Sequence, residues 1–199
     1  MTRPLLPQHP LEPSDEELVA RATAGDAQAL NQLLRRHQTY VYNLALFMLQ
    51  SREDAEDATQ EVLVKLATTL ASFRRESRFR TWAHRIAVNH VLDRKRSRPE
   101  QAVHGFDCYG DYLKRAPDED LAVERGDRAE IHVLVEEAKR TCTMGMLLCL
   151  DRDQRVVFVL GEVFETSDTI AAEILGVSRD NFRQRLARAR EQLYGFMRG

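Results

Sequence analysis

Apolar residues recur along most of the chain at the three- and four-residue spacing of an α-helix. The clearest example is a stripe formed by Ala83, Ile86, Ala87, His90 and Val91, with polar residues on the opposite face. Signals of strands and hairpins, such as alternating β-branched residues and Asn-Gly turns, are scarce. The pattern predicts an all-α protein built from two small helical domains.

Proline positions divide the chain, because proline disrupts the interior of a helix. Four of the six prolines lie in residues 1–13, and Pro99 and Pro117 lie in the acidic middle of the chain. We therefore expect a proline-rich arm at 1–13, a first domain at 14–97, an acidic linker at 98–127 and a second domain at 128–199. Helices are predicted near 15–24, 26–49, 52–72, 79–97, 128–149, 152–164, 168–175 and 179–197.

Polar residues mark where several of these helices begin. Ser14 and Glu17 have the spacing of a capping box, in which each side chain accepts a hydrogen bond from the other residue's backbone amide. Ser51 and Asp151 each precede an acidic first turn, where negative charge interacts favourably with the helix dipole. These residues predict the helix starts near 15, 52 and 152.

Charge is distributed unevenly along the 199 residues, although the formal net charge is only -2. By segment, the net charge is -4 in 1–72, +7 in 73–98, -7 in 99–137, -2 in 138–178 and +4 in 179–199. A polyanion responds to local rather than total charge. The two basic blocks therefore predict contacts with nucleic acid.

Several classes of protein are disfavoured by what the sequence lacks. No apolar run approaches the ~18 residues of a membrane span, and the N-terminus lacks the apolar centre of a signal peptide. Three cysteines do not make a disulfide framework, so we expect a cytoplasmic protein without membrane contact. Nucleotide-binding motifs and metal-ligand spacings are also missing, and we expect no cofactor, no metal and no catalysis.

The first basic block, 73–98, combines arginines with aromatic residues. A short basic loop leads into a helix whose polar face contains Trp82, Arg85 and Asn89. Guanidinium groups bind phosphates, an asparagine can bond base edges, and an indole can stack on unpaired bases. This mixture suits single-stranded DNA. The alternative, that Phe73, Trp82 and their neighbours are core residues and the arginines a solvated face, stays open at this point.

The second basic block has the spacing of a helix-turn-helix. Ala172 is a small residue where two helices can touch, and Gly176, four residues later, suits the turn between them. The next helix is expected to bury Phe182, Leu186, Ala189 and Leu193. Residues near its N-terminus on the other face are placed to reach base edges in a major groove. An ordinary amphipathic hairpin with a basic outer face is the alternative.

An acidic helix precedes both blocks. Residues 53–61 contain five carboxylates within nine positions, and an apolar run follows them. A solvated helix face is the usual explanation of such a cluster. The same face also suits docking onto a basic protein surface, beside an expected i,i+4 pair between Glu61 and Lys65.

Three segments, in this order, resemble the bacterial sigma factors of the extracytoplasmic-function group in the sigma-70 family. DAEDATQEVLVKL looks like the family's helix that binds core RNA polymerase. FRRESRFRTWAHRIAVNHVLDRKR looks like the part of region 2 that recognises and opens the minus-ten promoter element. The segment from LDRDQRVVFVLG to QRLARAREQL looks like region 4, which reads the minus-thirty-five element. The resemblance covers about 14–97 and 128–197.

The resemblance implies a specificity subunit that contacts promoter DNA and, on core RNA polymerase, the beta-prime clamp helices and the beta flap. It implies core-binding roles for Asp54, Asp57, Gln60 and Glu61. It implies minus-ten contacts by Phe73, Arg74, Ser77, Arg78, Arg80, Trp82, Arg85, Asn89, Asp93 and Arg94. It implies minus-thirty-five contacts by Arg179, Asn181, Arg183, Gln184 and Arg185, with Arg188 and Arg190 on phosphates. Because such factors are often held by an anti-sigma protein, that is a further expected partner.

Two other hypotheses remain. An autonomous helix-turn-helix regulator, with an N-terminal dimerisation or sensing domain, would bind a palindromic site without polymerase. A helical adaptor would bind proteins through its acidic surfaces. Asn181 and Phe182 also stand where the sigma family commonly has Thr and Val, so the base preference does not follow from the resemblance.

Overall fold

The structure, a computed structural model, describes residues 12–103, 105–115 and 144–198. Within these ranges the chain forms helices and no strand. The prediction of an all-α fold with two helical units is confirmed. The predicted arm at 1–13 lies almost wholly outside the described residues, as do the linker beyond 115 and most of the predicted helix at 128–149.

The first unit contains four helices, of which α2 is central because it contacts the other three. Their bounds are α1 Asp15–Thr23, α2 Ala27–Leu49, α3 Arg52–Thr69 and α4 Phe79–Asp93, with a 3-10 turn at Leu70–Ser72. The capping box of Ser14 and Glu17 is present, and Ser51 caps α3. Apolar side chains from all four helices are buried between them, in a core that continues into the second unit.

Two helices form in the segment where the sequence pattern predicts a linker, and Phe106 and Tyr109 of the second of them contact Phe196 near the C-terminus. Here the chain forms α5, Arg98–Ala102, and α6, Gly105–Arg115. Pro99 does not prevent α5, because it lies in the first turn, where its missing amide hydrogen has no intrahelical partner to lose. Ser97 and Glu100 form a second capping box, which the sequence analysis overlooked. Helix α4 ends at Asp93, four residues before its predicted end, and α5 begins shortly afterwards.

The second unit is the expected helix-turn-helix, preceded among the described residues by a helical turn at 144–147 and one further helix. Its elements are α7 Arg152–Phe158, which continues as a π-helical turn at Val159–Val163, then α8 Asp168–Leu175 and α9 Arg179–Arg198. Gly176 follows α8 in the left-handed region, at φ 67°, which costs a glycine little. The predicted stripe on α9 is buried as expected, at Phe182, Leu186, Ala189 and Leu193.

Candidate nucleic-acid interface

Helix α3 presents the acidic face that the sequence predicts. Ala55, Ala58 and Val62 bury its opposite side against the first unit, so that Asp57, Gln60 and Glu61 are exposed and Asp54 is half-buried. Val64 lies on the same outer face and is 63% exposed. Val64 is not among the residues predicted for this face. Its signal was an apolar side chain three and four positions after the polar residues Glu61 and Gln60.

Glu61 connects this acidic helix to α4. Its carboxylate lies 2.8 Å from Nη1 of Arg94 and 3.0 Å from Nε2 of His90. Burial lowers the pKa of His90, and the charge of Glu61 partly opposes that effect. The expected i,i+4 contact with Lys65 is therefore not the contact that orients Glu61. An ion pair instead holds the end of α4, and with it Arg94, against α3.

An aromatic cluster supports the basic loop before α4. The ring centroids of Phe73, Phe79 and Trp82 lie 5.3 to 5.5 Å apart. Phe79 is buried in the core, whereas Phe73 and Trp82 are only half-buried. Phe79 is therefore a core residue, as the alternative interpretation of this block predicts. The other two rings keep exposed surface that a ligand can reach.

A pocket of about 310 Å³ opens beside these rings. Its lining combines the two partly exposed aromatic side chains with hydroxyl groups and charged groups: Ser72, Phe73, Arg74, Glu76, Ser77, Trp82, Arg85 and Glu173. The volume is at the small end of the range for ligand pockets. Stacking surfaces and hydrogen-bonding groups therefore meet in one concave place.

The outer face of α4 continues from this pocket. Arg85, Asn89 and Asp93 are exposed along it, and Arg78 is exposed just before the helix. Arg80 is exposed in the first turn on a different face, where its charge acts on His37 and His84. Of the predicted minus-ten residues, the structure brings Phe73, Arg74, Ser77, Trp82 and Arg85 together at the pocket. Asn89 and Asp93 lie further along the helix, and Arg94 is paired with Glu61.

The recognition helix α9 directs its polar residues outward. Arg179, Asn181, Arg183, Gln184, Arg188 and Arg190 are exposed, and Arg185 is half-buried. Asp168 accepts a hydrogen bond from Arg183 at 2.5 Å, which lowers the pKa of that carboxyl, and Glu162 pairs with Arg190. Such exposed ion pairs contribute little to stability because solvent screens the charges. Both arginines can exchange these carboxylates for phosphates at little cost.

A buried titratable group lies beneath α4. The imidazole of His84 stacks on the ring of Tyr40, with centroids 3.4 Å apart, and His37 meets it edge-on at 5.8 Å. Burial lowers the pKa of His84 from 6.5 to about 3, with smaller effects from His37 and Arg80. Burial also raises the pKa of Tyr40 and lowers the pKa of His37, where Asp15 opposes it. His84 is therefore neutral in the folded protein at physiological pH.

Two features are not found within the described ranges. No helix there is both long and apolar enough to cross a membrane. Nor does any group of three or more His, Cys, Asp or Glu side chains there have the arrangement of a metal site.

Comparison with known proteins places the two units in one family. Residues 33–99 match Sigma-70 region 2, and residues 140–193 match Sigma-70, region 4. The ECF RNA polymerase sigma factor SigM of Mycobacterium tuberculosis is 33% identical over 184 residues, which cover 92% of this chain and 84% of SigM. The ECF RNA polymerase sigma-E factor of Haemophilus influenzae is 31% identical and covers 90% of this chain and 93% of its own length.

A solved structure agrees in fold. CnrH, in complex with the cytosolic domain of CnrY, superposes with a TM-score of 0.61 and 26% sequence identity, covering 92% of this chain and 96% of CnrH. The two matched regions and the relatives show that the chain belongs to the extracytoplasmic-function group of the sigma-70 family. A sigma factor is thus favoured over an autonomous regulator, and the family acts as specificity subunits in transcription initiation.

The buried state of His84 predicts how stability depends on pH. Because its folded-state pKa lies below the unfolded value near 6.5, the unfolded chain takes up this proton first as the pH falls. The free energy of unfolding should fall between about pH 7.5 and about pH 5, with His84 contributing up to about 2 kcal/mol. The stability is fully present above the unfolded pKa. Urea unfolding followed by circular dichroism at both pH values measures the change.

The control is His84→Phe, which keeps a ring against Tyr40 but cannot bind a proton. In this variant the free energy of unfolding should no longer contain the contribution of His84. It should keep only the weaker dependence on pH that comes from His37 and His90. An identical pH dependence in the variant and the wild type would contradict the assignment.

Proposed function

We propose that three faces of this sigma factor divide the work of promoter recognition. Helix α3 binds core RNA polymerase, the 73–77 loop with α4 takes the single-stranded minus-ten element, and α9 reads the minus-thirty-five duplex. The observation that carries this division is the chemistry of the three exposed faces. One is acidic with an apolar residue in it, one is basic and aromatic around a pocket, and one is basic at a helix N-terminus.

The face of α3 fits a basic protein surface. Asp57, Gln60 and Glu61 supply charge and hydrogen-bonding groups, and Val64 supplies an exposed apolar contact among them. Interfaces commonly combine a small apolar contact with a polar surround. We assign this face to the beta-prime clamp helices, with Asp54 at its edge. Because Glu61 also holds Arg94, docking at α3 is coupled to the end of the minus-ten face.

The minus-ten face fits an unpaired strand better than a duplex. Phe73 and Trp82 offer partly exposed rings beside a pocket, and stacking on such rings is available only to unstacked bases. The guanidinium group of Arg85 is placed at the same pocket for base or phosphate contact. Arg78 adds positive charge just before α4, Arg80 adds it at the first turn, and Asn89 offers a hydrogen-bonding amide further along the outer face.

The exposed N-terminal turns of α9 fit a major groove. Arg179, Asn181, Arg183 and Gln184 lie there, where residues of a recognition helix contact base edges. Arg188 and Arg190 lie one to two turns later and are assigned to phosphates. Region 4 is also the part that we assign to the beta flap of core polymerase.

Further proposals concern partner, compartment and catalysis. CnrH is a sigma factor solved with the cytosolic domain of CnrY, and we propose that this chain too has a protein partner that restrains it. We place the protein in the cytoplasm, where its polymerase is. We assign it no reaction of its own, because its proposed interfaces serve binding.

Charge reversal tests the core-binding face. Asp57→Lys should weaken binding of core RNA polymerase at least tenfold, or about 1.4 kcal/mol, because it places a like charge against a basic surface. Fluorescence anisotropy of the labelled sigma factor with core enzyme measures the affinity. Glu16→Lys, an equal reversal at an exposed position of α1, is the matched control and should change affinity less than twofold. Equal effects of the two reversals would contradict the assignment of α3.

Alanine substitution tests the duplex-reading face. Arg183→Ala should cost about 1–3 kcal/mol of preference for a promoter with its own upstream element over one with that element scrambled. Filter binding of holoenzyme to the two fragments measures the preference. Arg198→Ala removes an arginine from the far end of α9 and serves as control. If both variants keep the wild-type preference, α9 does not read the upstream element through Arg183.

A further inference from the structure

The carboxylate of Asp168 lies beside the N-terminal turns of α9. Oδ2 of this residue, which begins α8, accepts a hydrogen bond from Nε of Arg183 at 2.5 Å. The same oxygen lies 3.9 Å from Nε of Arg179, one helical turn earlier on α9. Asp168 therefore contacts arginines that we propose for the upstream element, although it belongs to the other helix of the helix-turn-helix.

The fold of α8 sets the position of this carboxylate. The amide of Ala171 donates to the carbonyl of Ser167 at 2.9 Å, so the backbone around Asp168 already forms the first turn of the helix. Ala172 and Ile174 are buried and hold α8 in the core. An aspartate side chain has few rotatable bonds and loses little freedom when it is held in one place. The carboxylate is therefore a well-defined anchor beside α9.

Arg183, in contrast, has a long side chain that can take many conformations, and half of its side-chain surface is exposed. Its hydrogen bond to Asp168 uses Nε and does not consume the donors on the terminal amino groups. Those amino groups form the fork with which an arginine bonds O6 and N7 of a guanine in the major groove. Asp168 thus restrains the guanidinium group and leaves the donors that can recognise a base.

A second carboxylate on the same side of α9 shows a different geometry. Glu162 accepts hydrogen bonds from both Nε and Nη2 of Arg190, the former at 2.9 Å. This pairing takes up one side of the guanidinium group, including a terminal amino group. Arg190 must therefore give up its carboxylate to present a full fork to DNA, whereas Arg183 can keep Asp168 while it bonds a base.

The charge of Asp168 also affects which DNA group Arg183 binds. The hydrogen bond from Arg183, together with the charges of Arg179 and Arg190, lowers the pKa of this carboxyl, which is ionised at neutral pH. In the free protein solvent screens the pair, and Arg183 can leave Asp168 at little cost. At a DNA surface water is displaced and charge interactions strengthen. A phosphate on Arg183 would then lie beside a like charge, whereas a base edge carries no net charge.

We propose that Asp168 is a positioning residue for sequence recognition, which orients Arg183 towards a guanine of the upstream element and disfavours its binding to phosphates. The proposal rests on the proposed function, in which α9 reads that element. It adds a residue of α8 to those that determine base preference. Asp168 acts through Arg183 and bonds no base itself.

Removal of this carboxylate should change affinity and selectivity in opposite directions. Without a negative charge near the phosphates, DNA of any sequence should bind more tightly. Without the restraint, Arg183 should bind phosphates more often, and phosphate contacts carry no sequence information. A purely structural role of Asp168 at the start of α8 would instead lower affinity and selectivity together.

The test uses holoenzyme reconstituted from core RNA polymerase and the full chain. The probe is a pool of fragments of a promoter that the wild-type holoenzyme transcribes, with the upstream element randomised. Sequencing of the bound fraction gives the base preference at each position, and filter binding to a fragment without promoter sequence gives the nonspecific affinity. The position that Arg183 reads is the one where Arg183→Ala loses the preference for guanine.

Asp168→Asn and Asp168→Ala should lower the preference for guanine at that position, the alanine variant by about threefold or more. The asparagine variant should lose less, because its side chain still offers an oxygen acceptor to Nε. Both variants should bind nonspecific DNA about twofold more tightly. In the Arg183→Ala background, Asp168→Ala should change the base preference no further, because it acts through the missing arginine.

Asp180→Asn is the matched control, since it makes the same charge change at an exposed position in the first turn of α9. It should also raise the nonspecific affinity, but it should leave the preference for guanine unchanged. Circular dichroism of each free chain checks that the variants keep the helical fold.

Three results would overturn the proposal. An unchanged preference for guanine in Asp168→Ala would show that Asp168 does not orient Arg183. An equal loss of preference with and without Arg183 would show that Asp168 acts by another route, and a joint loss of nonspecific affinity and preference would show a structural role. The proposed function is judged separately: it stands if Arg183→Ala alone loses the preference, and it fails at α9, together with this proposal, if Arg183→Ala keeps it.

Discussion

Helix α4 packs into the core, contacts the second unit and presents the proposed DNA face. The rest of the structure depends on which positions around its axis serve each of these purposes. Viewed down the helix axis at about 100° per residue, the buried residues of α4 occupy an arc of about 200°, with Phe79 at one edge and Thr81 at the other. That is twice the width of an ordinary amphipathic stripe. The extra width arises because α4 packs against α7 and α8 as well as against α2 and α3. Only a narrow arc stays exposed, and it contains Arg85 and Asn89, which we propose for DNA.

This constraint makes the two units interdependent. A helix buried on both sides places its few exposed side chains firmly, which suits recognition of a strand in a defined position. The same burial brings α8 to the edge of the exposed arc, where Arg85 donates a hydrogen bond to the backbone carbonyl of Glu173. The contact with α8 and the proposed recognition of a strand therefore use the same surface. The ion pair from Glu61 to Arg94 adds a third influence, since it connects the core-binding helix to the same face.

Much of the fold could be predicted because its signals are local. The capping box at Ser14, the glycine at 176 and the stripe from Phe182 to Leu193 depend on residues within one or two turns of each other, and all are present. The all-α class and the two units follow from such signals. The same holds for the outward faces of α3 and α9, whose exposed residues are those opposite the apolar positions.

The remaining features depend on contacts between distant parts of the chain. The pattern of α4 predicts a stripe that includes Ile86 and His90, yet both are only half-buried, because packing by the second unit moves the centre of the buried face towards His84. Glu100 bonds to Arg152 and Arg155 across more than 50 positions, and periodicity carries no information about such pairs. Glu100 could have been found earlier only through its spacing from Ser97.

We propose that this chain gives core RNA polymerase its choice of promoter. The most direct measurement is to map transcript starts on genomic fragments with core enzyme alone and with core enzyme plus this protein. We expect discrete new starts that share one upstream and one minus-ten sequence and that appear only with the full holoenzyme. Start sites no more selective than those of core enzyme alone, together with binding to a palindromic site without polymerase, would contradict it.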